Sequence, residues 1–183
     1  MKTKNINLLV KDIENIAFAI NAFFNNRDEN DVKIIKNEIL ILEEEIKNLN
    51  LTKNKLDRTK LKFLKEISEK LRFIADNLEK IVNKDSLTSL INLNKMTEII
   101  LEDINEYIFT NKENTDVFLT RLKRDFNILK AYEESNKRIL LTYVIENPSY
   151  MKEVLSLIKI GETYIHIMEN LLSTVKCSME IYN

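Results

Sequence analysis

The apolar residues of this chain recur every three to four positions along nearly its whole length, the spacing of one face of an α-helix. Ile6, Leu9, Val10, Ile13, Ile16, Ala17, Ile20, Phe23 and Phe24 form the first such stripe, which stops near Asn25 and Asn26. Asp28 or Asn30 is expected to cap the next helix by accepting backbone N–H groups. That second helix carries Val32, Ile35, Ile39, Leu42, Ile46 and Leu49, with Glu43, Glu44 and Glu45 largely on its wet side. Residues 50–60, rich in Asn, Thr and Lys, read as a connection. A third helix presents Leu61, Leu64, Ile67, Leu71, Ile74, Leu78 and Ile81, widened by Phe63, Phe73 and Val82. Residues 83–86 break the pattern only weakly, as a turn or a kink. The fourth helix carries Ile91, Met96, Ile99, Ile100, Ile104, Tyr107 and Ile108 and ends near Asn111. The fifth, over 114–147, turns Phe118, Leu122, Phe126, Leu129 and Tyr132 inward and would be roughly 50 Å long.

Pro148 ends that fifth helix, because the residue before a proline is pushed out of the α region. Beyond it Met151, Val154, Leu155, Ile158, Ile165, Met168, Leu172 and Val175 predict a sixth, very apolar helix. Composition then removes the other fold classes. One glycine and one proline in 183 residues are too few for the turns of a sandwich, a barrel or a Rossmann-type sheet. The expected fold is all-α. Hydrophobic residues at 44% and charged residues at 31% suit helices with one buried and one solvated face. A net charge of -1 gives no signal for nucleic acid. A single cysteine, Cys177, excludes an internal disulfide, and the N-terminus lacks the pattern of a secretion signal. No stretch is long and apolar enough to span a membrane. The expectation is a soluble, cytoplasmic protein.

An internal repeat organises the six helices. At an offset of 86, Leu71 aligns with Leu157, Ile74 with Ile160, Ala75 with Gly161, Asp76 with Glu162, Leu78 with Tyr164 and Ile81 with Ile167. Near the starts of the halves an offset of 85 sets Phe24 on Phe109, Asn26 on Asn111 and Arg27 on Lys112. This predicts two tandem three-helix bundles, 1–85 and 86–183, related by a pseudo-two-fold and forming one compact unit. A mid-helix glycine costs about 1 kcal/mol relative to alanine. The pair Ala75 and Gly161 therefore predicts a close crossing of the third and sixth helices.

The run Leu140, Leu141, Thr142, Tyr143, Val144, Ile145, Glu146, Asn147, Pro148, and Leu78, Glu79, Lys80, Ile81 in the first half, resemble the PhoU-like regulators of phosphate uptake. The segment Arg27, Asp28, Glu29 is similar to that family's turn between its first two helices, and the likeness extends over essentially the whole chain. What the resemblance implies is two tandem three-helix bundles in a cytoplasmic homodimer. It also implies an adaptor that connects a phosphate transporter with a sensor kinase and restrains phosphate-starvation signalling. Members hold iron or zinc through Glu-x-x-x-Asp motifs, since carboxylates four apart share a helix face and hard oxygen ligands suit such ions. Here Glu79 keeps the first glutamate, but Asn83 and Lys84 replace the aspartate and histidine that follow. In the second half Ile165, His166, Glu169 and Asn170 stand at the motif positions, so each half keeps one carboxylate of two. Glu38, and in the other half Asp125, occupy the places of the acidic ligands on the neighbouring helix. The candidate metal residues are thus Glu38, Glu79 and Glu169, with iron or zinc as the ion.

Other chemistry is thinner. Glu162, His166 and Glu169 share a helix face, but a ferritin-like di-metal centre needs Glu-x-x-His on two helices, and His166 is the only histidine; it reads as structural. Cys177 has no context for nucleophilic use, and no catalytic residue is assigned. Lys53, Lys55, Arg58, Lys60, Lys62 and Lys65 form a basic stretch that reads as a solvated connection balanced by Glu66 and Glu69. Met96, Met151, Met168 and Met179 read as core. Beside the phosphate regulator stand two alternatives, a helical interaction scaffold without a phosphate role and a small carboxylate metal protein.

Overall fold

The computed structural model describes residues 2–48, 55–81, 92–109 and 114–182, and among these it is all helix with no strand. Six α-helices follow one another among the described residues: α1 Lys2–Asn26, α2 Glu29–Asn48, α3 Lys55–Leu78, α4 Leu93–Phe109, α5 Thr115–Glu146 and α6 Met151–Tyr182. A 3-10 turn, Glu79–Ile81, extends α3, and another, Pro148–Tyr150, leads into α6. The expectations on Leu49, Lys53, Val82, Asn83, Lys84, Ile91, Asn111 and Lys112, on the boundary at 85/86, and on the side chains of Ile6, Val10 and Lys55 lie outside the described residues.

Short-range chemistry sets the turns. Arg27 takes a left-handed φ of 55°, the conformation in which a chain leaves a helix, usually with glycine. Its N–H bonds Phe23 O at 2.7 Å. The next residue, Asp28, accepts the Asn30 backbone N–H at 2.8 Å, which is the expected cap. The buried Arg27 side chain also reaches Ile81 O at 3.5 Å, tying this corner to the end of α3. At the other hairpin, Asn147 adopts φ -133°, its N–H bonds Tyr143 O at 2.9 Å, and Pro148 follows. The rings of Tyr143 and Tyr150 then meet edge to face at 5.5 Å, which fixes the turn.

One expectation about boundaries is corrected. α3 begins at Lys55, inside the stretch read as a connection. Lys60 explains the extension: its Nζ donates to Ile108 O at 2.9 Å and lies 5.4 Å from the Tyr107 ring centre. A cation at the C-terminal end of α4 is favourable there, and it docks the start of α3 on that end.

The buried side chains of all six helices form one continuous cluster. α6 packs on α3, α4 and α5, while α1 packs on α2 and α4. Val154, Leu157, Ile160, Tyr164, Ile167, Met168, Leu171 and Val175 of α6 are all buried. Met151 and Leu155, expected in the stripe, are each 45% exposed, because a helix this apolar offers more than one stripe and packing selects the other. Phe73 is likewise half exposed. The expected close contact at Gly161 is also revised. A Cβ built there would meet Glu133 Cγ of α5 at 3.5 Å and Leu93 Cδ2 of α4 at 4.0 Å. Both are ordinary contacts, and neither belongs to α3.

Candidate functional site

α3 and α6 lie against each other and leave an open groove of about 390 Å³ between them, lined by Glu69, Lys70 and Phe73 from α3 and by Lys159, Glu162, Thr163 and His166 from α6. The helical period explains the set. Residues 159, 163 and 166 fall on one face of α6, next to the buried stripe that anchors the helix, as 69, 70 and 73 do on α3. Thr163 Oγ1 donates to Lys159 O at 2.6 Å, and His166 Nδ1 lies 3.2 Å from Glu169 Oε2. Glu162 is held by Lys137 of α5 at 2.8 Å, and that carboxylate keeps the lysine more firmly protonated. No described residue pairs with Lys70 or Lys159. The groove therefore offers ammonium groups, a phenyl ring and an imidazole to a ligand from outside.

The candidate metal residues occupy separate surroundings. Glu38 accepts from Asn15 Nδ2 at 3.1 Å, Glu79 bonds Lys36 at 2.9 Å, and Glu169 faces His166. Asp125 pairs with Arg124 at 3.0 Å and Arg121 at 3.5 Å. Among the described residues no three His, Cys, Asp or Glu side chains are grouped to hold a metal. That includes Glu162, His166 and Glu169, where the first is diverted to Lys137. Each carboxylate has its own partner: Glu38 and Glu79 bond an amide and a lysine of a neighbouring helix, whereas Glu169 and Asp125 are met by an imidazole and two guanidinium groups of their own helices.

Two polar clusters were not legible in the sequence. Between α4 and α5, Arg121 reaches the buried Asp103 at 2.7 Å and also bonds Glu106. Burial pushes the Asp103 carboxyl up to about 6 against the pull of Arg121, and its Oδ2 has no hydrogen-bond partner among the described residues. In α1, burial and the charges of Glu38 and Glu45 raise the pKa of Asp12. Both aspartates sit among charged residues on amphipathic helices, so nothing in their spacing marks them as inward. Glu43, expected on the wet side, is instead mostly covered and bonds Arg72.

The positions matched at the offset of 86 have matched surroundings. Leu71, Leu157, Ile74, Ile160, Leu78, Tyr164, Ile81 and Ile167 are all buried. Asp76 and Glu162 each bond a lysine of the preceding helix, Lys36 at 3.3 Å and Lys137 at 2.8 Å. Fold and site together define an all-helical protein with a charged groove along the seam of two helices, and none of its described helices is long and apolar enough to cross a membrane. No protein-family model matches the sequence, and comparison with curated proteins finds no significant relative.

Proposed function

We propose that this chain is a PhoU-like regulator of inorganic phosphate uptake, a cytoplasmic, homodimeric adaptor of two tandem three-helix bundles that acts on a phosphate transporter and a sensor kinase by surface recognition. The observation that carries the reading is the pair Asp76 and Glu162. They are 86 residues apart, and each is bound by a lysine from the helix before its own. Beyond the shared apolar positions, the two acids have the same kind of partner, a lysine of the preceding helix, although the lysines themselves lie 101 residues apart. The tyrosine and proline of the 140–148 run support it too, since Tyr143, Asn147, Pro148 and Tyr150 together build one turn. The mechanism is presentation of helix faces to partners, with no catalytic residue.

Deletion of the gene followed by measurement of phosphate uptake and of a phosphate-starvation reporter tests this reading. Constitutive reporter activity with deregulated uptake is the expected result. Unchanged uptake and reporter in the deletion strain removes the regulator and leaves the interaction scaffold. The carboxylate metal protein remains a separate outcome, decided by elemental analysis of purified protein: stoichiometric iron or zinc would favour it.

A further inference from the structure

Large apolar side chains left in water on one continuous face mark a docking surface more often than a solvated one. At the tip of the α5–α6 hairpin Leu141 is 45% exposed, Ile145 78%, Met151 45% and Leu155 45%. The helices run antiparallel through a tight turn. Leu141 and Leu155 are equally far from Pro148, and so are Ile145 and Met151. Their common side follows from the ion pair between Lys137 and Glu162. Lys137 precedes Leu141 and Ile145 at four-residue steps, and Glu162 continues the stripe of Met151 and Leu155, so both stripes look toward that bridge. Lys159 stands one further turn along α6 from Leu155, about 6 Å on, where the α3–α6 groove opens with Phe73 and Lys70 opposite.

We propose that this face docks an amphipathic helix of a partner protein, its apolar stripe covering Leu141, Ile145, Met151 and Leu155 and its acidic end reaching Lys159 and Lys70. The charge balance selects the occupant. In the groove Glu162 and His166 already have partners, and the two lysines and Glu69 have none among the described residues, which leaves an excess of cation for an acidic ligand to answer. A second copy of this chain would bring two unmatched lysines against one unmatched carboxylate, a poorer complement. A lipid surface would meet the apolar tip and leave the concave groove unfilled. Apolar anchors spaced by helical turns on α6 suit a helix laid along it. The inference deepens the adaptor reading, on which it rests for the occupant being a protein.

The test uses the full chain and two synthetic helical peptides of about 20 residues, roughly 30 Å long. Both carry leucines at four-residue spacing; one ends in glutamates and the other in lysines at the same places. By fluorescence anisotropy the acidic peptide is expected to bind about tenfold more tightly, the scale of one favourable charge pair. The double variant Lys70→Glu with Lys159→Glu should reverse that preference, and Ile145→Ser with Leu155→Ser should weaken both peptides. Helicity by circular dichroism is expected to be unchanged in these surface variants. Equal binding of the two peptides, no binding of either, or binding indifferent to Ile145 and Leu155 overturns the proposal. So does a dimer that Ile145→Ser dissociates in sedimentation, or a stronger attachment to anionic vesicles that the same variant abolishes. Peptide selectivity together with unaltered phosphate control after deletion would sink the regulator reading alone; deregulated phosphate without selectivity would sink this inference alone.

Discussion

The buried hydroxyl of Tyr164 shows how a single polar atom constrains the core. Thr97 Oγ1 donates to Leu93 O at 2.8 Å and lies 2.6 Å from the Tyr164 hydroxyl. Threonine has one hydroxyl proton and has already given it to the backbone, so the tyrosine must be the donor. Burial drives the Tyr164 pKa upward, which keeps that proton in place. The two ends of the bond are therefore unequal. Tyr164→Phe removes the donor and leaves Thr97 with its backbone partner, at a cost of about 1 kcal/mol. Thr97→Val leaves a phenolic donor buried without an acceptor and costs about 1–3 kcal/mol. Urea denaturation of both variants measures the difference. Equal losses, or a larger loss in Tyr164→Phe, would contradict this assignment of donor and acceptor.

The α4–α5 seam depends on Asp103, whose buried carboxyl is pushed up to about 6. Burial is the main cause, Asp125 and Glu102 add to it, and the bond to Arg121 opposes it. The unfolded carboxyl titrates near its ordinary value of about 3.9. Between these two values the native chain holds more proton than the unfolded one. The contribution of Asp103 to stability is thus fully present below about pH 4 and is lost as pH rises through 6, by up to about 3 kcal/mol. Asp103→Asn lacks this titration. The stability of the native sequence relative to the variant should therefore fall from pH 4 to 7, as read from urea midpoints across that range. A difference that stays flat, or rises with pH, would show that Arg121 and not burial governs this carboxyl.

That seam also shows where sequence reasoning reached its limit. All six helices were legible, because apolar period depends only on neighbours three and four residues away; α5 was placed to within a residue at each end by Asn114 and Pro148. What a helix packs against is a property of distant residues. Lys60 extends α3 by docking on α4, and Met151 and Leu155 lost the inward place to Leu157 and Ile160, although both alternatives are apolar. The candidate site divided in the same way. Asp76 and Glu162 were matched by the offset of 86, whereas their lysines were not, since Lys36 and Lys137 are each one of three lysines on their helices. Carboxylates chosen by motif position, Glu38, Glu79 and Glu169, acquired separate partners that only packing could assign.

At the scale of the molecule, bonds that cross between the first three helices and the last three decide whether the halves can unfold apart. Phe63 of α3 meets Tyr107 of α4 edge to face at 5.4 Å, and Tyr107 lies 6.4 Å from Phe118 of α5 while its hydroxyl is 3.2 Å from Ser178 Oγ of α6. One ring thus touches side chains of three other helices, on both sides of the expected division. α1 lies on α4 and α3 on α6, so separating the halves would expose the buried faces of four helices. Each large apolar side chain returned to water costs about 1.5–3 kcal/mol, and several are involved, so neither half is expected to be stable alone. Unfolding in urea should be a single transition, with far-ultraviolet dichroism and tyrosine fluorescence giving the same midpoint. Phe63→Ala, a core truncation of about 3–5 kcal/mol, should move both midpoints together. Two resolved transitions, or a shift confined to one probe, would mean that the halves are independent folding units and that the shared core does not couple them.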